Sequence, residues 1–244
     1  MSTFRDVLAS RLANRPGEPL LTFYDDESGE RTELSVTTYA NWVAKTASLL
    51  ADELDLERGD RLLVDLPPHW LGPVILGAAW TIGLEVVWDA ETVDACSAVV
   101  CGPAALDRWA PHAADLPVVA TALLPLGVRF PNGAPPGVHD LGVEVWGQPD
   151  SFVPWDPPGP DDLAVAGQTH AELWSAASAG TLLSAGGRLL STANPTSPAG
   201  LATFTEPLAR AGSLVLVTHP DPDHLKTTYA SEHATASHPP GLAG

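Results

Sequence analysis

The chain has 244 residues, of which 45% are hydrophobic and 17% are charged, as is ordinary for globular proteins with a buried core. Its 30 acidic residues outnumber 12 basic ones and give a formal net charge of −18 at pH 7. Because a strongly negative protein repels phosphate groups, we expect neither nucleic acid nor an anionic membrane surface as a partner. No N-terminal signal segment is visible and the longest apolar stretch, 71–84, is too short to span a bilayer, so we expect a cytoplasmic protein.

The cysteine content indicates free thiols. Cys96 and Cys101 are the two cysteines of the chain, too few for a disulfide framework. They fall in the apolar run 95–101, which predicts a strand that would place them on opposite faces. We expect buried, unreactive thiols in a reducing compartment.

The first 124 residues alternate helix and strand signals. Apolar residues at helical spacing predict a helix that ends at Pro16. The runs 20–24 and 31–34 flank a turn and predict a hairpin, and Ser35 is a candidate N-cap for the helix that follows. Further strands are predicted at 61–66, 84–88, 95–101 and 117–120, with helices at 72–82 and 103–110.

The second half begins with an irregular connection, 125–160, which is dense in Pro and Gly and in which we predict one short strand, 143–146. From 219 to 244 the Pro, Asp, His, Thr and Ser content predicts a disordered tail. Between these segments we predict helices at 171–183 and 199–210, the second capped near Ser197, and strands at 188–191 and 213–217.

Buried strands that alternate with helices predict an α/β fold with a mainly parallel sheet layered by helices. We expect one domain over 1–218, with candidate lobes at 1–124 and 161–218.

The sequence lacks four common motifs of phosphate-binding, dinucleotide-binding, hydrolase and zinc sites. It contains no Gly-x-x-x-x-Gly-Lys-Ser/Thr loop, Gly-x-Gly-x-x-Gly fingerprint, Gly-x-Ser-x-Gly elbow or His-Glu-x-x-His pair. The segment 219–224 carries two His and two Asp, but its two prolines oppose a helical metal site, so we expect a solvated loop. The acidic runs 25–27 and 161–162 are expected to be solvated caps.

His69 and Trp70 follow Pro67-Pro68 at the carboxyl end of a predicted parallel strand. Open α/β sheets bind ligands at such strand ends, which makes the pair a candidate site. The alternative, which we favour, is a helix start with Trp70 in the core.

The order of several segments resembles the N-terminal subdomain of adenylate-forming enzymes, the acyl-CoA synthetase and AMP-binding superfamily. The Gly59-Asp60-Arg61 strand start and the Leu66-Pro67 turn are its most specific parts. The resemblance covers about residues 1–105 well and 161–217 weakly, and the chain is also similar to a short actinobacterial family related to that superfamily. The matching segments are 15–23, 33–39, 50–54, 58–64, 66–70 and 76–80.

The resemblance implies a chemistry that joins a carboxylate to AMP and passes the acyl group to a thiol. In the superfamily a Ser/Thr/Gly-rich loop with a Pro-Lys-Gly sequence follows an Asp-Leu-Ala strand and holds the ATP phosphates. Here 162–166 matches the strand, but Gly167-Gln-Thr-His170 stands where the loop would begin, and no lysine lies between Lys45 and Lys226. The superfamily's adenine-binding and ribose-binding segments and its C-terminal catalytic lysine have no counterpart.

Three functions therefore remain open. The favoured one is a non-catalytic, degenerate AMP-binding-like protein that acts as a binding or interaction module for a small acyl-type ligand or a protein partner. The second is an active acyl-adenylate-forming ligase, or a subunit of one completed by another chain. The third is a folded relic without a selected ligand. We assign no catalytic, cofactor-binding or metal-binding residue and expect no cofactor.

Overall fold

The computed structural model describes residues 2–242. The strands are β1 (Pro19–Asp25), β2 (Glu30–Ser35), β3 (Arg61–Asp65), β4 (Glu85–Val87), β5 (Ala98–Cys101), β6 (Val118–Ala120), β7 (His139–Asp140), β8 (Leu163–Val165), β9 (Gln168–Thr169), β10 (Arg188–Ser191), β11 (Ser213–Thr218) and β12 (Ala236–His238). The α-helices are α1 (Phe4–Asn14), α2 (Val36–Ser48), α3 (Leu71–Ile82), α4 (Leu106–Trp109), α5 (Leu141–Glu144), α6 (His170–Ala179), α7 (Ala202–Ala209) and α8 (Pro222–Ser231). Within 2–242, no helix combines the length and apolar character that a bilayer crossing requires.

Two sheets contain these strands, and parallel pairing dominates both. The first has the order β12-β10-β11-β1-β2, in which β1 and β2 form the antiparallel pair. The second has the order β7-β6-β5-β3-β4-β8-β9, in which β8 and β9 form the antiparallel pair. The predicted α/β class with mainly parallel strands is confirmed, with the strands divided between two sheets.

Alternate strand residues pack on opposite faces of each sheet. In β3, Leu62 contributes to the large core between the sheets and Leu63 to a separate cluster on the outer face. In β11, Leu214 joins the same large core, whereas Val215 packs with Leu225 of α8 on the other side. Both faces of both sheets are therefore covered, as buried parallel sheets require.

The helices between the sheets meet at a glycine. Every residue of α3 is buried. A Cβ atom at Gly77 would lie 2.3 Å from the Tyr39 hydroxyl oxygen and 3.0 Å from the Phe4 ring, so α1, α2 and α3 approach here because the side chain is absent.

Several local predictions are confirmed, and one predicted strand is wrong. The predicted hairpin forms as β1–β2, and the Ser35 hydroxyl accepts the Thr38 amide at 3.1 Å as the N-cap of α2. The predicted strand 143–146 is instead helical, because the Asp140 carboxylate accepts the Gly142 amide at 3.0 Å and starts α5. Ser197 caps no helix: its hydroxyl accepts the Gly200 amide in the turn before α7.

Both cysteines are free, as expected, but they do not share a strand. Cys96 ends the 3₁₀ turn Ala90–Ala95, and only Cys101 lies in β5, so the predicted placement on opposite faces of one strand is wrong. Burial raises the pKa of the Cys101 thiol to about 12, which keeps it protonated and unreactive at neutral pH.

A disordered tail was predicted over 219–244. The prediction is wrong for residues 219–242, and residues 243–244 lie outside the described part. Residues 222–231 form α8, and β12 adds a parallel strand beside β10. The physical reason is Glu232, whose side chain is only 10% exposed and accepts hydrogen bonds from Tyr24, Arg31 and Arg188. These bonds join the end of α8 to β1, β2 and β10 in the first sheet.

The Glu232→Gln substitution should lower the free energy of unfolding by about 2 kcal/mol at pH 7. It removes the negative charge that pairs with Arg31 and Arg188 in a partly buried position. Burial alone would raise the pKa of Glu232, but the bonds from Tyr24, Arg188 and Arg31 leave it below its ordinary value of 4.5. The stabilising contribution is therefore full above pH 4.5 and is lost as the pH falls through the lowered pKa, and the variant should lack this acid-dependent part.

Urea unfolding of both proteins at a series of pH values from 7 to 3 measures this effect. Glu53, an exposed carboxylate outside these contacts, provides the matched control as Glu53→Gln. Equal destabilisation in the two variants would contradict the anchoring role of Glu232.

Candidate functional site

A tight turn occupies the position at which the sequence resemblance places a phosphate-binding loop. Ala166 and Gly167 alone separate β8 from β9, with φ of +39° and +82°. Positive φ at both central residues is typical of the type I′ turn, which joins antiparallel strands with a two-residue loop. The hairpin therefore closes directly, without a long glycine-rich segment.

A carboxylate binds the amide of this turn. Glu85 Oε1 accepts the Gly167 backbone amide at 2.8 Å, and Glu85 Oε2 accepts Arg61 Nε at 2.7 Å. The Glu85 side chain is only 5% exposed. A backbone amide at such a turn is the kind of donor that binds phosphate oxygens, but here the protein supplies its own anion.

Thr169 and His170, which follow the turn, have structural contacts. The Thr169 hydroxyl accepts the Glu172 amide at 3.3 Å and donates to the Glu172 carboxylate at 3.0 Å, so it forms the capping box of α6. His170 is fully buried, and neither ring nitrogen has a hydrogen-bond partner among residues 2–242. Burial lowers the pKa of His170 to about 4 despite the opposing charge of Asp162, so the ring is neutral at pH 7.

His69 and Trp70 lie at the carboxyl end of β3, as predicted, and both are buried. The Leu71 amide donates to His69 Nδ1 at 3.2 Å, which assigns the proton of the neutral ring to Nε2, and Nε2 has no partner in the described chain. Burial lowers the pKa of His69 to about 3, although Asp25 opposes the shift. The His69 ring contacts the rings of Phe23 and Trp70 at centroid distances of 4.8 and 5.5 Å, so this strand end is filled by packed side chains.

The acidic run 25–27 and the segment 219–224, which are far apart in sequence, lie together. His219 Nδ1 is 2.8 Å from Asp25 Oδ1, and Asp26 Oδ2 accepts the Asp221 amide at 2.8 Å. The bond to Asp25 raises the pKa of the exposed His219. No group of three or more His, Cys, Asp or Glu side chains within 2–242 is arranged to hold a metal ion.

A groove of about 680 Å³ lies between α1, α2 and the segment 150–158. The pattern of the sequence did not reveal it, because its two helices and its connecting segment are widely separated along the chain. It is lined by Thr3, Arg5, Asp6, Leu8, Ala9, Leu12, Ala40, Asn41, Val43, Ala44, Thr81, Asp150, Ser151, Phe152 and Pro158.

The segment 150–158 also carries two exposed apolar side chains. Trp155 is fully exposed and Val153 is 78% exposed. Ion pairs hold the segment at both ends, Lys45 with Asp150 at 3.1 Å and Arg58 with Asp156 at 3.1 Å. Exposed aromatic residues on an anchored segment are typical of interaction surfaces.

Comparisons with known proteins show similarity at two levels. No protein-family model matches the chain. A "TIGR03089 family protein" of Mycobacterium tuberculosis is 36% identical over 233 residues, which cover 94% of this chain and 95% of the relative.

Several solved structures of similar fold are ligases or synthetases. A benzoate CoA ligase from Burkholderia xenovorans has a TM-score of 0.75 at 17% identity, covering 97% of this chain and 50% of the ligase. A Brucella canis acyl-CoA synthetase has a TM-score of 0.78 at 17% identity, covering 97% of this chain and 47% of the synthetase. The N-terminal domain of FACL13 from Mycobacterium tuberculosis has a TM-score of 0.72 at 15% identity, covering 96% and 62%. The chain thus has the fold of the N-terminal region of adenylate-forming ligases and spans about half the length of the full ligases.

The turn between β8 and β9 predicts opposite effects of two substitutions. Ala166→Asn should raise the free energy of unfolding by about 0.5 kcal/mol, because Asn-Gly is the preferred pair of a type I′ turn. Gly167→Ala should lower it by about 1 kcal/mol, because φ is +82° at a position where a Cβ meets no neighbour and backbone strain is the remaining cost. Urea unfolding of the two variants measures both changes, and a stabilising Gly167→Ala change would contradict the tight turn.

The buried His170 predicts a pH-dependent stability. In the unfolded chain the ring takes up a proton as the pH falls through 6.5, whereas in the fold it does so only near pH 4. The free energy of unfolding should therefore decrease between pH 6.5 and 4, and His170 should account for about 3 kcal/mol of that decrease.

Unfolding of the His170→Leu variant over this pH range measures the contribution. The slope should be shallower than in the parent protein, whereas His233→Asn, at an exposed position with no ion pair to the described residues, should leave it unchanged. Identical slopes in all three proteins would show that His170 is not the neutral, buried group described here.

Proposed function

The chain belongs to the TIGR03089 family, and we propose that it is a non-catalytic binding protein built on the fold of adenylate-forming ligases. The observation that carries this proposal is the contact between Glu85 and the Gly167 amide at the β8–β9 turn. The similarity to the ligases shows the fold alone, because a sequence identity of 17% supports no statement about activity.

The charges at the β8–β9 turn support the proposal that the protein does not bind a nucleotide triphosphate there. Transfer to or from a triphosphate depends on amides and cations that neutralise the phosphate oxygens. Glu85 instead places a negative charge at the Gly167 amide, and the Ala166 amide donates to the Val86 carbonyl. Arg61, the cation bound to Glu85, is already paired. A triphosphate would have to displace a buried carboxylate, which leaves that charge without its partner.

Lys45 cannot supply the missing charge. It is the single lysine of the first 225 residues, and its ammonium group donates to the Gln148 carbonyl and pairs with Asp150 at 3.1 Å. These contacts hold the Lys45 side chain of α2 against the segment 150–158, which carries Trp155.

The ligand that we propose is a small acyl-type molecule. The groove between α1 and α2 has a volume within the range of about 300–1,000 Å³ that is typical of small-molecule sites. Its lining combines eight apolar residues with seven polar or charged ones, so it can contact both the apolar body and the polar end of such a molecule.

A second candidate function is a ligase subunit that another chain completes. Trp155 and Val153, which are exposed on an anchored segment, favour it because they offer a surface to a protein partner. This candidate requires that the chain contribute to nucleotide binding, whereas the favoured function does not.

Calorimetric titration with ATP and Mg²⁺, together with an assay of pyrophosphate release over a panel of carboxylates and CoA, tests the proposal. We expect no heat of binding at about 1 mM nucleotide, a concentration that detects even weak sites, and no pyrophosphate. The benzoate CoA ligase of the same fold serves as the positive control. Saturable ATP binding or carboxylate-dependent pyrophosphate release would overturn the proposal in favour of the ligase candidate.

A further inference from the structure

We infer that the groove between α1 and α2 binds a small organic monoanion with an apolar body, and that Arg5 recognises its charge. The inference rests on the proposed binding function and names the site and the chemical class of the ligand. No residue of the groove belongs to the β8–β9 turn or to the packed strand end at His69.

The shape of the groove comes from its small residues. Ala9 of α1 and Ala40 and Ala44 of α2 line it, so neither helix fills the space between them and the segment 150–158. Leu8 and Val43 are buried beneath, and Phe152 packs against the core from the other side. A ligand in the groove would therefore contact an apolar floor already formed in the free protein.

The charges along the groove leave one cation without a partner. Asp150 pairs with Lys45 at 3.1 Å, and Asp6 accepts the Thr3 amide at 2.8 Å as part of the α1 capping box. Arg5, by contrast, makes no side-chain hydrogen bond and no ion pair with any residue in 2–242. In a protein with a net charge of −18, a half-buried arginine without an acidic partner is complementary to an anionic ligand.

Two neutral polar groups complete the site. Asn41 and Ser151 line the groove, and neither side chain makes a hydrogen bond within the described chain. They can bond the polar end of a ligand, while the guanidinium fork of Arg5 matches the two oxygens of a carboxylate. The combination favours a carboxylate with an aliphatic or aromatic body over a neutral lipid or an organic cation.

Calorimetric titration with three probes of equal tail length separates charge from apolar contact. We expect octanoate to bind with a sub-millimolar dissociation constant, octanol about tenfold more weakly, and octylammonium not measurably. Equal affinity for octanoate and octylammonium, or no octanoate binding at all, would overturn the inference.

Three variants place the binding in the groove. Arg5→Gln should weaken octanoate binding about tenfold and leave octanol binding unchanged, because it removes only the charge contact. Ala9→Trp should abolish binding of both probes by filling the groove, and because Ala9 is exposed the substitution spares the core. Arg129→Gln, at an exposed arginine outside the groove, is the matched control and should bind as the parent protein does.

The outcomes also separate this inference from the proposed function. Octanoate binding that is unaffected by Arg5→Gln and Ala9→Trp would reject the groove but leave a non-catalytic binding protein. ATP binding or pyrophosphate release would reject the proposed function whether or not octanoate occupies the groove.

Discussion

The bond between the Glu85 carboxylate and the Gly167 amide is the constraint on which the interpretation of this molecule depends. It lies at the carboxyl end of β8, where the ligase fold would need amides and cations facing a nucleotide. Because Glu85 is buried and also binds Arg61, the carboxylate satisfies both partners within the protein. The turn is therefore electrostatically complete without a ligand, and an incoming phosphate would meet a negative charge that is costly to displace.

The carboxyl end of β3, like the β8–β9 turn, is filled by the protein's own side chains. At the end of β3, His69 is neutral and packs against Phe23 and Trp70, so side chains occupy the position where open α/β sheets bind ligands. The open space lies on another side, between α1 and α2, where small side chains keep the helices from filling the groove. The fold matches that of the N-terminal region of the ligases, and the binding site that we propose lies on a surface formed by the first two helices and one connecting segment.

Much of the architecture could be predicted from the sequence, because buried parallel strands and the β1–β2 hairpin have strong local patterns. The strand that precedes Gly167 was indicated by its match to the superfamily, but the tight turn after it was not predicted. Its partner Glu85 lies more than 80 residues away, where no local pattern points to it. Long-range contacts account for the failures: composition predicted disorder after residue 218, but Glu232 docks that segment on Tyr24 and Arg188. The segment 143–146 was predicted as a strand because of its apolar residues, whereas the helix N-cap at Asp140 starts a helix there.

The most direct measurement of the central claim is the ¹⁵N–¹H signal of the Gly167 amide, followed by nuclear magnetic resonance during a titration with ATP and Mg²⁺. Because the Gly167 amide donates to Glu85, its hydrogen should exchange slowly with solvent. Its chemical shift should stay constant as nucleotide is added. In the Glu85→Ala variant the same amide should exchange faster, because its acceptor is gone. A saturable shift of the Gly167 signal by ATP in the parent protein would contradict the account, since it would show that the turn accepts a phosphate in place of the carboxylate.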